Sequence, residues 1–291
     1  MPVKTIAVIL GSSEKCIPIT EQFLLSFYRN VMPMATNVHF DIHLYKCNLV
    51  INNHNYFQYT TQMNIESDSF SFSPFLNPVQ FDHLKLSGLT IIMHDCSCSS
   101  FKYHFPLPDI ALYQDFCDKY MDDYDYLMFC HNDVAFFRKT DMIDKMIVLL
   151  DGPRYNIISE TSANFNSNLS VRFHPAMIFV KSSMFKLCNL SFINNLSIFN
   201  KNGFRIFTDG GAGLMASYYH ESNKSRNRPY NHLPDTWFTH IRSLGDTGVE
   251  FCYHKYKESK EFIRAIELAQ KYVDFTLYGS ITPPTRGGYC P

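Results

Sequence analysis

The stretch Tyr124-Asp125-Tyr126-Leu127-Met128-Phe129-Cys130 runs almost wholly apolar and then ends in three polar side chains, His131, Asn132 and Asp133. Such a run has the pattern of a buried strand, whose carboxyl end would deliver the polar trio to one crevice. There Asp133 can hold a divalent cation, and a cation so held neutralises phosphate oxygens. The plainer alternative is that Asn132-Asp133 begins a turn or caps a helix. Two later clusters tip the balance toward chemistry: Thr208-Asp209-Gly210-Gly211 and Trp237-Phe238-Thr239-His240. Asp209 stands where a helix would start. Its carboxylate can take a proton as a general base or cap that helix, and a cap would fix the same carboxylate in place.

Each remaining candidate has two readings. Gly210 and Gly211 either permit tight backbone geometry or leave room for a ring beside exposed backbone donors. Arg172 and His174, just before Pro175, either bind phosphate or acceptor or serve a structural turn. Trp237, the only tryptophan, either stacks on a ligand ring or anchors the core. His94, Cys96, Cys98, Cys130 and His131 are zinc-ligand types and would compose a site if their strand ends were adjacent. Against that, Cys96-Ser97-Cys98 lacks the usual knuckle spacing, and buried free cysteines are common.

These residues need elements to position them, and the first half alternates strand and helix signals. Strands are expected over Lys4 to Leu10, Val38 to Tyr45 and Leu89 to His94, with helices over Pro18 to Arg29 and Ile110 to Tyr120. Residues 48 to 86 show little periodicity and read as an irregular insertion. Further on, Tyr155 to Ser159 and Ala176 to Val180 read as strands with Arg172-Phe173-His174-Pro175 between them, and 184 to 199 is broken by Asn-rich turns. Thr208 to Tyr219 and Lys257 to Tyr272 read as helices, 221 to 235 as a loop, and 281 to 291 as an arm or lid. A βαβ rhythm implies a mostly parallel sheet with ligands beyond its carboxyl edge.

The chain has 291 residues, 46% hydrophobic and 18% charged, which describes an ordered protein with a sizeable core. A formal charge of -1 gives no overall field to gather nucleic acid. No segment reaches the roughly 18 to 20 apolar residues that span a bilayer, and the amino end lacks the form of a secretion peptide. A cytoplasmic location, or a peripheral one at a membrane, is expected. The nine cysteines lack a paired framework and read as free thiols. Without repeats or a clean linker, one domain over 1–291 is expected.

On these residues the chain resembles the glycosyltransferases of the GT-A fold. The likeness rests on the early strand–helix alternation, the strand before His131-Asn132-Asp133-Val134, the Arg172-Phe173-His174-Pro175 stretch, and Thr208-Asp209-Gly210-Gly211. It implies an α/β fold, a GT-A-like Rossmann-type sheet flanked by helices with a modified C-terminal acceptor-side portion. Residues 1–135 would form the nucleotide-sugar-binding half, 136–245 the acceptor and catalytic half, and 246–291 a terminal helix and tail. In that family an Asp-x-Asp motif binds metal and donor diphosphate; here His131 replaces the first carboxylate and Asp133 keeps the second. The resemblance further implies Mn2+ or Mg2+ held by Asp133 and His240, a nucleotide-sugar donor contacted by His131, Asn132, Asp133, Arg172, Gly210 and Gly211, and Asp209 as the base of an inverting transfer to a glycan or other hydroxyl acceptor. The competing readings are another nucleotide-dependent transferase and a carbohydrate-binding or scaffold protein of the same fold without turnover.

Overall fold

A computed structural model of the chain describes residues 2–51, 70–102, 108–136, 138–153, 155–162, 172–187, 189–193, 197–199, 205–207, 214, 238–240 and 249–251. The elements run β1 (Lys4–Ser12), α1 (Ile17–Asn30), β2 (Val38–Lys46), β3 (Asn48–Ile51), β4 (Phe70–Ser73), β5 (Thr90–Asp95), α2 (Pro108–Tyr120), β6 (Tyr126–Cys130), β7 (Val134–Phe136), α3 (Met142–Asp151), β8 (Ile157–Ser162), β9 (Arg172–Lys181), α4 (Ser182–Leu187), β10 (Ser197–Phe199), β11 (Arg205–Phe207), β12 (Phe238–His240) and β13 (Val249–Phe251).

Seven strands share one sheet in the order β12-β8-β9-β6-β1-β2-β5. β1 is parallel to β2 and β6, β2 to β5, and β8 to β12; β9 alone runs antiparallel, between β6 and β8. The expected α/β architecture, a mostly parallel sheet flanked by helices, is therefore present. Alternation along β1 explains its central place, because successive side chains point to opposite faces. Ile6, Val8 and Leu10 meet the apolar sides of α1 and α3, while Ala7 and Ile9 meet α2. With both faces covered, the strand reads as a continuous apolar run.

Helix α1 opens with Pro18, whose missing N–H costs nothing in the first turn. One turn apart, Phe23 and Phe27 stack at 5.9 Å, and Phe27 sets its ring edge-on to Phe40 and Phe136 at 5.1 and 5.7 Å. This cluster ties α1 to β2 and β7.

Several expectations change. Residues 48–51 and 70–73, expected to be irregular, pair as antiparallel β3 and β4. The Arg172–Pro175 stretch is not a connection between strands but the start of β9. Its proline is accommodated because the β8–β9 register jumps from Ser159↔Ile178 to Glu160↔His174, leaving Pro175 in a bulge where no ladder donor is required. Helix α3 was not anticipated. Met142, Ile143, Met146, Ile147 and Leu150 nonetheless follow helical spacing, and all are buried. The break expected over 184–199 overlaps the end of α4 and contains β10. Cys47, Cys96, Cys98, Cys117 and Cys130 are free thiols, but Cys16 is disulfide-bonded; sequence spacing alone cannot show which cysteines meet in space. Of the helix expected over 208–219, only Leu214 is described, and it is buried. The expected loop 221–235, helix 257–272 and tail 281–291 lie outside the described residues. No helix among the described residues is long and apolar enough to cross a membrane.

Candidate functional site

From β1 the chain steps outward to β2 and β5, then returns to the other side of β1 to place β6. Strand order thus reverses between β1 and β6, and in open α/β sheets the crevice beyond the carboxyl ends at such a point is where ligands bind. The two strands that flank it end in Ser12-Ser13 and in His131-Asn132-Asp133. Both sets are buried.

A chain of hydrogen bonds crosses the reversal. The Asn132 amide donates from Nδ2 to Thr20 Oγ1 at 3.1 Å, Thr20 donates to Ser12 Oγ at 2.7 Å, and Ser12 donates to the carbonyl of Ser13 at 3.0 Å. Thr20 closes the first turn of α1, so helix position, not loop conformation, sets this bridge. With Nδ2 engaged, Asn132 Oδ1 is buried without a hydrogen-bond partner among the described residues, as is Ser13 Oγ. Buried polar atoms are ordinarily satisfied by protein, water or ligand. Beyond β1, Glu14 accepts from the backbone N–H groups of Leu76 and Asn77 at 3.1 and 2.8 Å, and these bonds hold its carboxyl below the ordinary range.

His131 lies between two carboxylates. Its Nε2 is 3.1 Å from Asp109 Oδ2, in the first turn of α2, and its Nδ1 is 3.8 Å from Asp133 Oδ1. Burial disfavours the imidazolium, yet the charge of Asp109, its hydrogen bond and the charge of Asp133 together raise the pKa above the ordinary histidine value. The trio therefore combines a carboxylate, an amide oxygen and a side chain biased toward positive charge. Asp133 then leads directly into β7, which pairs with β13, so the motif sits in a turn between two strands and caps no helix.

The other expected site residues are placed less fully. Arg172 opens β9, five residues before Met177, whose partner across the ladder is Cys130. Because β9 runs against β6, the backbone of Arg172 lies toward the same sheet edge as Asp133. His240 ends β12 opposite Ser159 of β8, and β8 and β9 lie between it and β6. Strand adjacency therefore does not bring His240 to Asp133. The side chains of Arg172 and His240, together with Asp209, Gly210, Gly211 and Trp237, lie outside the described residues.

The zinc alternative is not met. β1 and β2 separate β5 from β6, His94 bonds to His43 and Cys96 meets Cys47, and no group of three metal-ligating side chains forms among the described residues. Thr20 and Asp109 were not anticipated as parts of the site. Their partners lie 112 and 22 residues away, and no local pattern signals such contacts. A cavity of about 550 Å3, lined by residues that include Val79, Phe81, Lys85, Ile91 and Met93, lies at edge strand β5 and contains none of the trio.

No protein-family model matches the chain, and no curated protein sequence matches it significantly. Among solved structures, the chain is similar to the glycosyltransferase GlyE of Streptococcus pneumoniae TIGR4, at 11% sequence identity and a TM-score of 0.40, over 84% of this chain and 47% of that one. This chain thus spans about half the length of that protein.

Proposed function

We propose that the protein transfers a sugar from a nucleotide-diphosphate donor to a glycan or other hydroxyl acceptor. The observation that carries this reading is the buried Asn132-Asp133 pair at the carboxyl end of β6, across the strand-order reversal from Ser12-Ser13 and bridged to it by Thr20. Breaking a sugar–phosphate bond leaves charge on the diphosphate, so groups that stabilise that charge lower the barrier. His131, whose pKa the neighbouring Asp109 and Asp133 raise, supplies part of this stabilisation when protonated, where the family motif has a carboxylate.

The oxygen donors present suit Mn2+ or Mg2+, which take hard oxygen ligands and accept one or two carboxylates alongside substrate phosphates. Asp133 would hold such an ion, with Asn132 Oδ1 as the neighbouring oxygen; His240, three strands away on β12 and level with Phe129, does not share it. When bound, the ion adds Lewis-acid stabilisation of the leaving diphosphate. Arg172 contributes positive charge toward the same edge. Asp209 accepts the proton of the attacking hydroxyl, and Gly210 and Gly211 leave room for the acceptor ring. Attack from the face opposite the diphosphate inverts the anomeric centre.

The test is transfer itself. The full chain is incubated with a panel of nucleotide sugars and simple glycan acceptors, with Mn2+ or Mg2+, and release of nucleoside diphosphate is followed. One donor class should turn over, and proton NMR should show an inverted first-formed product. Asp209→Asn should lower turnover by about 10²–10⁴-fold, the usual contribution of a general base, while sparing donor affinity. Retained configuration removes Asp209 as base, and binding of acceptor glycans without donor turnover establishes the non-catalytic reading instead.

A further inference from the structure

Cys47 and Cys96 stand at the carboxyl ends of β2 and β5. The parallel register pairs Lys46 with Asp95, and one step further sets Cys47 beside Cys96. The Cys96 N–H donates to Lys46 O at 3.2 Å, and the Cys47 N–H donates to Ser12 O at 2.8 Å. An ion pair from Lys46 Nζ to Asp95 Oδ2 at 3.0 Å, together with bonds from the Ser97 N–H and hydroxyl to Asp95 Oδ1, fixes this corner.

The two buried side chains converge to an Sγ···Sγ distance of 2.9 Å. That is longer than the roughly 2.05 Å of a disulfide bond, and closer than unbonded sulfurs ordinarily approach. Neighbouring strands lie about 4.8 Å apart, inside the roughly 4.4–6.8 Å that a disulfide tolerates between Cα atoms. Both are free thiols, and their sulfurs, 2.9 Å apart, need to close by less than about 1 Å to bond.

We propose that Cys47 and Cys96 form a reversible oxidation site, which hydrogen peroxide converts to a disulfide locking edge strand β5 to β2 beside the end of β1. One sulfur, as thiolate, attacks a peroxide oxygen; the O–O bond breaks and the departing hydroxide takes up a proton as water, leaving a sulfenic acid. The second sulfur attacks that sulfenic sulfur, the S–O bond breaks, and its own proton leaves with the hydroxide as a second water. The sulfurs lose two electrons in total, and peroxide gains them. Both sulfurs are buried, which favours a small neutral oxidant over a bulky disulfide, while the raised Cys96 thiol keeps the thiolate scarce and the oxidation slow. Cys98 has the opposite character: it is exposed, and the Ser100 hydroxyl at 2.9 Å lowers its thiol. The two cysteines of Cys96-Ser97-Cys98 therefore sort by reagent size.

The test uses the full chain carrying Cys98→Ser, so that the exposed thiol consumes no peroxide. Folded protein is treated with hydrogen peroxide, the excess is destroyed with catalase, and the protein is unfolded, alkylated and digested without reductant. Mass spectrometry should find a cross-linked peptide pair containing Cys47 and Cys96 that dithiothreitol abolishes. The thermal midpoint should rise by roughly 5 °C, as expected for closing a loop of this length. Cys47→Ala in the same background should give neither the cross-link nor the shift. Recovery of both cysteines in alkylated form, their conversion to sulfinic acids, or cross-links to other cysteines would each overturn the proposal.

Discussion

The amide of Asn132 is held by a hydroxyl that the chain supplies 112 residues earlier, and that hydroxyl, bonded in turn to Ser12 Oγ, joins the carboxyl ends of β1 and β6. Removing the hydroxyl while keeping the shape leaves the amide donor and Ser12 Oγ buried with fewer partners, which costs about 1–3 kcal/mol. Thr20→Val should lower the urea midpoint accordingly and weaken nucleoside-diphosphate binding, whereas Thr20→Ser should retain most of both. A valine variant as stable as the wild type would show that the bridge does not hold the turn. At this scale the sequence is legible where chemistry is contiguous. His131-Asn132-Asp133 stands out because apolar residues give way to polar ones within a single strand. Asp109 and Thr20 do not, because each is an ordinary polar residue until the fold brings it against the motif.

Among the elements, β2, β5 and α2 enclose a directed chain of hydrogen bonds whose protonation state matters. Tyr124 donates to Asp41 Oδ2 at 3.0 Å, so it accepts from His43 Nε2 at 2.7 Å; His43 Nδ1 is then left to accept from His94 Nε2 at 2.8 Å. Both imidazoles are neutral in this arrangement. Burial, with His94 as a second cause, pulls His43 down to about 4 against the opposing charge of Asp41; burial and Lys119 pull His94 down to about 4. Tyr45 and Tyr120 complete the surroundings. Between roughly pH 6.5 and pH 4 the unfolded chain binds protons that the folded chain does not, so this contribution is present above pH 6.5 and is lost as pH falls through that window. His94→Phe keeps the ring stacked on Tyr45 and removes one titrating group. It should lower stability at pH 7 and also flatten the fall in urea midpoint between pH 7 and pH 4.5; an unchanged slope would exclude His94 as a source.

Core packing gives a second prediction for the elements. Phe27 is fully buried among Phe23, Phe40 and Phe136, so Phe27→Ala should destabilise by about 3–5 kcal/mol, read from denaturant unfolding. A cost below about 1 kcal/mol would mean that α1 does not pack through this residue. Strands and helices of the first half were legible because alternation and helical spacing are local signals. Helix α3 carries the same helical spacing at Met142, Ile143, Met146, Ile147 and Leu150. The Arg172–Pro175 stretch misled because proline normally interrupts a strand, and only the cross-strand register reveals the bulge that accepts it.

For the molecule as a whole, composition and rhythm indicated an α/β sheet, but strand order was out of reach. Local patterns do not say that β6 returns to the far side of β1, nor that β9 enters the sheet in reverse, and the first of these is what brings Ser12-Ser13 beside His131-Asn132-Asp133. If the protein transfers a sugar as proposed, a nucleotide-diphosphate ligand binds at this reversal through Asp133. Isothermal titration of the full chain with a panel of nucleoside diphosphates, with Mn2+ or Mg2+ and then in chelator, tests it most directly when paired with Asp133→Asn, which removes the charge at nearly constant size. At least one diphosphate should bind saturably, more weakly in chelator, and more weakly by about tenfold or more, or ~1.4 kcal/mol, in the variant. Failure of every diphosphate to bind the wild type, or equal affinity in wild type and Asp133→Asn, would contradict it.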